Sequence, residues 1–119
     1  MNVEYVRDYC LSLKNTTESF PFDEVSLVFK VENKMYLLMS LDAEDPNIAV
    51  KCDPDEAEEL RDRYMAVEPA FHFNKKHWNN IYFNRDMLDS EIRKWILHSY
   101  NEVIRKLPKK VREQYTDQS

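Results

Sequence analysis

The sequence predicts a two-layer α+β domain, an antiparallel sheet with its helices gathered on one face, in the order α-β-β-β-α-β-β-α. Three observations predict it. Apolar residues recur at steps of three and four near both ends and in the middle of the chain. Short apolar runs lie between these stretches, and only a few residues separate neighbouring runs. Connections that short join antiparallel strands, because a parallel crossover needs a dozen residues or more.

Each element has its own signal. Val3, Val6, Cys10 and Leu13 share one face of a helix over 2–14, with Asn2 as its N-cap. Residues 15–24 form a connector in which Phe20 and Phe22 flank Pro21 and are expected to plug the edge of the core. Strands follow at 25–31 and 35–41, joined by the turn Glu32-Asn33-Lys34, and a third at 47–52 after a loop containing Pro46. Asp53 reads as the cap of a second helix, with Pro54 at its first position and Glu56 three residues after the cap. Ala57, Leu60 and Tyr64 mark its buried face. Pro69 breaks that segment. Residues 70–73 and 79–84 read as two short strands around a turn at 75–78. The last helix, 89–107, carries the stripe Ile92, Ile96, Tyr100, Val103 and Leu107, and Pro108 ends it. One domain is expected over 1–112, with 113–119 as a polar tail.

Length and composition support a single core. A chain of 119 residues, 43% hydrophobic, hides roughly two-thirds of its unfolded surface without needing staples. No run approaches the roughly 18 apolar residues of a membrane span, so no membrane partner is expected. The N-terminus shows no basic lead and no apolar signal core, which makes the cytoplasm the expected compartment. Two cysteines without C-x-x-C spacing read as buried, reduced thiols.

The absence of glycine excludes most familiar chemistry. Phosphate-cradling loops need residues without a Cβ, so neither the Walker A nor the dinucleotide pattern can occur. The nucleophile elbow is excluded as well. His72, His77 and His98 show no metal-ligand spacing, and no metal or other cofactor is expected. Asp55, Glu58, Glu59 and Asp62 read as a solvated helix face with nothing apolar to raise a pKa. A pocket around His77, Trp78 and Tyr100 is the one enzymatic alternative, and it lacks an activated nucleophile. No catalytic residue is expected, and the chain is read as a binding protein.

Charge points to a possible ligand class. The net charge is −5, but residues 1–72 hold 7 basic against 16 acidic side chains, while residues 73–119 hold 10 against 6. The basic half contains two clusters. In KKHWNN, Lys75, Lys76, His77, Trp78 and Asn79 combine phosphate-binding cations with a ring that can stack and an amide that can read a base edge. The second cluster is Arg105, Lys106, Lys109, Lys110 and Arg112. Each has a bland alternative: Trp78 anchoring a turn, and cations favoured by the dipole of a helix C-terminus.

The stretch PAFHFNKKHWNNIYFN, followed by an acid-opened helix containing HSYNEVIRKLPKK, resembles the MmcQ/YjbR family of small bacterial proteins. The segments FPF, LVFKVENKMYLLMSL and VKCDPDEAEELRDRY extend the likeness from the first helix to about residue 112. The resemblance implies the same element order and a fold like that of secretion chaperones. It maps recurrent family residues onto Lys51, Lys76, His77, Trp78, Asn79, Ser99 and Tyr100. It also implies DNA binding without a reaction or cofactor. Double-stranded DNA, held weakly and in a salt-sensitive way, is therefore the expected partner. The alternative is a protein-interaction or adaptor module, with a protein partner or a homodimer meeting an aromatic patch such as Tyr36 or Phe83.

Overall fold

The structure is a computed structural model and describes residues 1–115. Helix α1 (Val3–Ser12) is followed by strands β1 (Thr16–Ser19), β2 (Ser26–Val31), β3 (Lys34–Ser40) and β4 (Asn47–Lys51). Then come α2 (Pro54–Arg63), β5 (Val67–Pro69), β6 (Trp78–Tyr82), α3 (Asp89–Arg105) and the short α4 (Lys109–Arg112). A 3₁₀ turn at Glu113–Tyr115 closes the described chain. The six strands form one antiparallel sheet in the order β1-β2-β3-β4-β6-β5. Helix α3 lies across β2, β3 and β4, α1 packs on β1 and α3, and α2 packs on β5. No helix among the described residues is long and apolar enough to cross a membrane.

The helix-facing positions of the strands build the core. Leu27, Phe29, Leu37, Met39, Ile48, Val50 and Ile81 meet Ile92, Ile96, Tyr100 and Val103 of α3 in one buried cluster. The α1 stripe contributes Val6 and Cys10, and α2 contributes Ala57 and Leu60. Both N-caps act as the sequence predicts: Asn2 accepts the Tyr5 N–H, and Asp53 accepts those of Asp55 and Glu56.

Several expectations need correction. Residues 16–19 form an edge strand, not part of a connector. Residues 70–73 form no strand, the chain turning at 71–73, and the strand beside β6 is Val67–Pro69 instead. Phe20 and Phe22 do not plug the core; they are 47% and 66% exposed. Tyr36 and Phe83 offer no surface patch, because both are buried. The polar tail begins with structure: Tyr115 is buried in the core, while residues 116–119 lie outside the described part.

Turns without glycine have a visible cost. Asn15, Glu32 and Asn33 take left-handed φ values of 60°, 48° and 65°. Glu32 and Asn33 form the two-residue β2–β3 loop, whose twist suits a hairpin but disfavours a residue with a Cβ. The Tyr115 hydroxyl steadies two of these turns, accepting from Asn15 Nδ2 at 2.9 Å and donating to the Glu32 carboxylate.

Candidate functional site

The site is built where the sheet opens. Strands β3 and β4 pair only at Leu37–Val50 and Leu38–Ala49. Beyond Leu37, a bulge makes Tyr36 an extra residue, since Phe29 faces Leu37 while Lys30 already faces Met35. The bulge lets Tyr36 follow Leu37 into the core. Its ring meets Tyr100 edge-on at 5.3 Å, and its hydroxyl bonds Thr16 Oγ1 at 2.9 Å.

Helix α3 fills the opening. The buried Ser99 hydroxyl accepts the Lys51 N–H at 2.8 Å and donates to the Tyr36 carbonyl. It replaces a ladder rung that the separated strands cannot make. One residue earlier, His98 Nε2 accepts the Asp53 N–H at 3.2 Å. The Cys52 N–H donates to the His77 carbonyl at 2.6 Å, which pins the 74–77 turn to the end of β4.

Cations gather at this corner. The His77 imidazole is held below its usual value, first by desolvation and then by Lys106, Lys51 and Lys76. The Lys51 ammonium is likewise lowered by desolvation, then by Lys106, with Lys34 and Arg105 adding to the effect. Glu102 is the opposing carboxylate in both cases. It is already held by both arms of Arg105, at 2.9 and 3.0 Å. Among the described residues, Lys34, Lys51, Lys76 and Lys106 form no ion pair.

The sequence-derived residues therefore divide. Lys76, His77 and Lys106 come together, joined by Lys51 and Lys34. Lys75 turns its ammonium over the Phe71 ring at 4.8 Å. Arg105 is neutralised by Glu102, and Arg112 donates to the Arg105 carbonyl at 3.2 Å. Lys109 and Lys110 sit on α4, beside the 3₁₀ turn that leads to Asn15 and Glu32. Trp78 is half-buried and stacks on Phe73 at 4.9 Å. Asn79 is not a base reader: it is fully buried, donates to the Ala57 carbonyl at 3.2 Å and accepts from Arg61 Nε at 2.6 Å. Its task is to hold α2 against β6.

Two features escaped the sequence reading. Lys34 joins the cations only through the hairpin register, which its turn-like setting conceals. Cys52, Glu56 and His98 place a thiol, a carboxylate and an imidazole nitrogen within 4.8 Å of one another. No spacing signature announces that trio, because His98 comes from a distant helix.

The sheet face away from the helices carries a cleft of about 390 Å³ lined by Phe22, Asp23, Ser26, Leu38, His72 and Phe73.

Comparison with known proteins agrees with this architecture. A family model described as YjbR matches residues 11–102. The Escherichia coli K12 protein YjbR is 27% identical over 113 residues, covering 95% of this chain and 96% of the relative. YbdF of Escherichia coli O157:H7 is 30% identical over 107 residues, covering 90% and 88%. The crystal structure of Deinococcus radiodurans protein DR2400 superposes with a TM-score of 0.89 at 31% identity, covering 95% of this chain and 86% of that one. A Pseudomonas syringae protein superposes at 0.74 with 25% identity, covering 86% and 98%.

Proposed function

The chain belongs to the YjbR family of small bacterial proteins, and from that premise we propose that it binds DNA without catalysing a reaction, through the cation cluster at the Lys51–His77 corner. The observation that carries this reading is that desolvation already holds the His77 imidazole below its usual value and Lys106, Lys51 and Lys76 all repel a proton on it. Positive side chains from three separate stretches then lie near one corner, and the nearby Glu102 carboxylate is engaged by Arg105. Half-buried Trp78 borders the turn that carries Lys76 and His77. The absence of a catalytic role is supported by the thiols: burial pushes both Cys10 and Cys52 up to about 12, far from an activated nucleophile.

The cluster is small, and the net charge of −5 opposes a polyanion. About four phosphate contacts give a log–log salt slope of roughly −3.6, at about 0.9 per contact. Titration of duplex DNA at two salt concentrations tests the reading. The paired substitution Lys76→Glu with Lys106→Glu abolishes binding, while Lys109→Glu with Lys110→Glu leaves most of it. No binding at low salt, or equal effects from the two pairs, removes the proposal.

A protein-interaction or adaptor module is the second reading. Its support is the cleft on the sheet's other face, lined in part by Phe22, which is 66% exposed. Light scattering over a concentration series, with Phe22→Ser as the variant, tests self-association. A monomer at every concentration argues against the homodimer.

A further inference from the structure

We propose that Cys52, Glu56 and His98 form a binding site for one zinc-like divalent transition-metal ion, adjoining the cation cluster but using different side chains. The three donors converge from two places: the β4–α2 junction supplies Cys52 and Glu56, and α3 supplies His98. Their ligand atoms all lie within 4.8 Å of one another. His98 Nε2 and Glu56 Oε2 are 3.5 Å apart, close to the edge spanned by two ligands each about 2.1 Å from a tetrahedral ion. The Glu56 side chain is 48% exposed, so its rotation can shorten the wider separations.

The surroundings orient the imidazole donor. The Asp53 N–H donates to His98 Nε2, which requires a lone pair on that nitrogen and the proton on Nδ1. A metal ligated through Nε2 needs that same tautomer. At 3.2 Å the bond is long enough to yield to a stronger partner. Trp95 fixes the ring by edge-to-face contact at 4.9 Å. Cys52 is buried at the end of β4, with the carboxylates of Asp53 and Glu56 close by in the chain. A coordinated ion displaces the thiol proton to solvent as the metal–sulfur bond forms. Thiolate, imidazole and carboxylate together select zinc, cobalt or a similar ion over magnesium and calcium, which take oxygen. Three protein ligands leave a fourth position for water or a small anion.

Cobalt is a direct probe. The full chain, stripped with a chelator, is titrated with Co²⁺ and then challenged with Zn²⁺. The expected result is saturation at one ion per chain, a thiolate-to-cobalt charge-transfer band in the near ultraviolet, and its loss when zinc is added. Cys52→Ser abolishes the band. Glu56→Gln and His98→Gln each weaken binding roughly tenfold or more, whereas His72→Gln with His77→Gln leaves it unchanged. Glu56 is exposed, so its variant keeps the fold and the test valid even if Cys52→Ser unfolds. A missing charge-transfer band, or cobalt affinity indifferent to Glu56→Gln and His98→Gln, overturns the proposal.

Discussion

The Ser99 hydroxyl accepts the backbone N–H of Lys51 at 2.8 Å, so a helix side chain completes the sheet where two strands part. The same oxygen donates to the Tyr36 carbonyl in a buried bond, while the Lys51 bond is partly buried. Ser99→Ala takes this partner from the buried Tyr36 carbonyl and from the partly buried Lys51 N–H. The expected loss of stability is about 2–4 kcal/mol, read from urea denaturation. The Lys51 amide, protected in the parent protein, becomes fast to exchange.

Asn79 joins β6 to α2 through Ala57 and Arg61. Asn79→Ala removes a buried acceptor from Arg61 and is expected to cost about 1–3 kcal/mol. The loss appears in the denaturation midpoint. Under the DNA binding we propose, affinity of the folded fraction stays unchanged, which separates a positioning role from base reading.

Asp86 accepts the N–H groups of Met65 and Ala66 at 2.9 and 2.7 Å. These bonds hold its carboxyl below the usual aspartate value, the Met65 bond contributing most, although desolvation opposes them. A depressed folded value means the stabilisation is present above the unfolded pKa and is lost as pH falls through the folded one. Asp86→Asn is therefore expected to lower stability at pH 6 and to matter much less near pH 2. Urea midpoints at both pH values check the crossover.

The Cys10 thiol is fully buried, with a pKa pushed up to about 12 by burial. Alkylation at neutral pH should therefore leave Cys10 unmodified in the native protein and label it promptly in denaturant. Mass spectrometry of peptides from the two conditions reads the contrast. Rapid native labelling would mean that α1 opens from the sheet.

Much of this fold was legible because its signals are local. The α3 stripe, the β2–β3 hairpin and the Asp53–Pro54–Glu56 helix start each rest on nearby residues. Strand β1 was hidden because Thr16–Ser19 is wholly polar and pairs only along the edge of β2. The 70–73 run misled in the opposite direction, its aromatics suggesting a strand where the chain turns. Lys76 and Lys106 could be singled out by composition, but their meeting with Lys51 depends on where β3 and β4 stop pairing. Ser99 was singled out only through the family resemblance, since a serine's task inside a helix depends on what the neighbouring sheet lacks. The Cys52–Glu56–His98 trio was invisible for a related reason: its third member arrives through tertiary packing.

The Tyr115 phenol has a bearing on biosynthesis. It reaches back to Asn15 and Glu32, residues made long before it. A nascent chain on the ribosome therefore possesses all six strands while two of its tightest reversals still lack their anchor. Its β2–β3 hairpin lacks that tie until the last helical turn emerges, and truncation that removes Tyr115 releases two bends made far earlier.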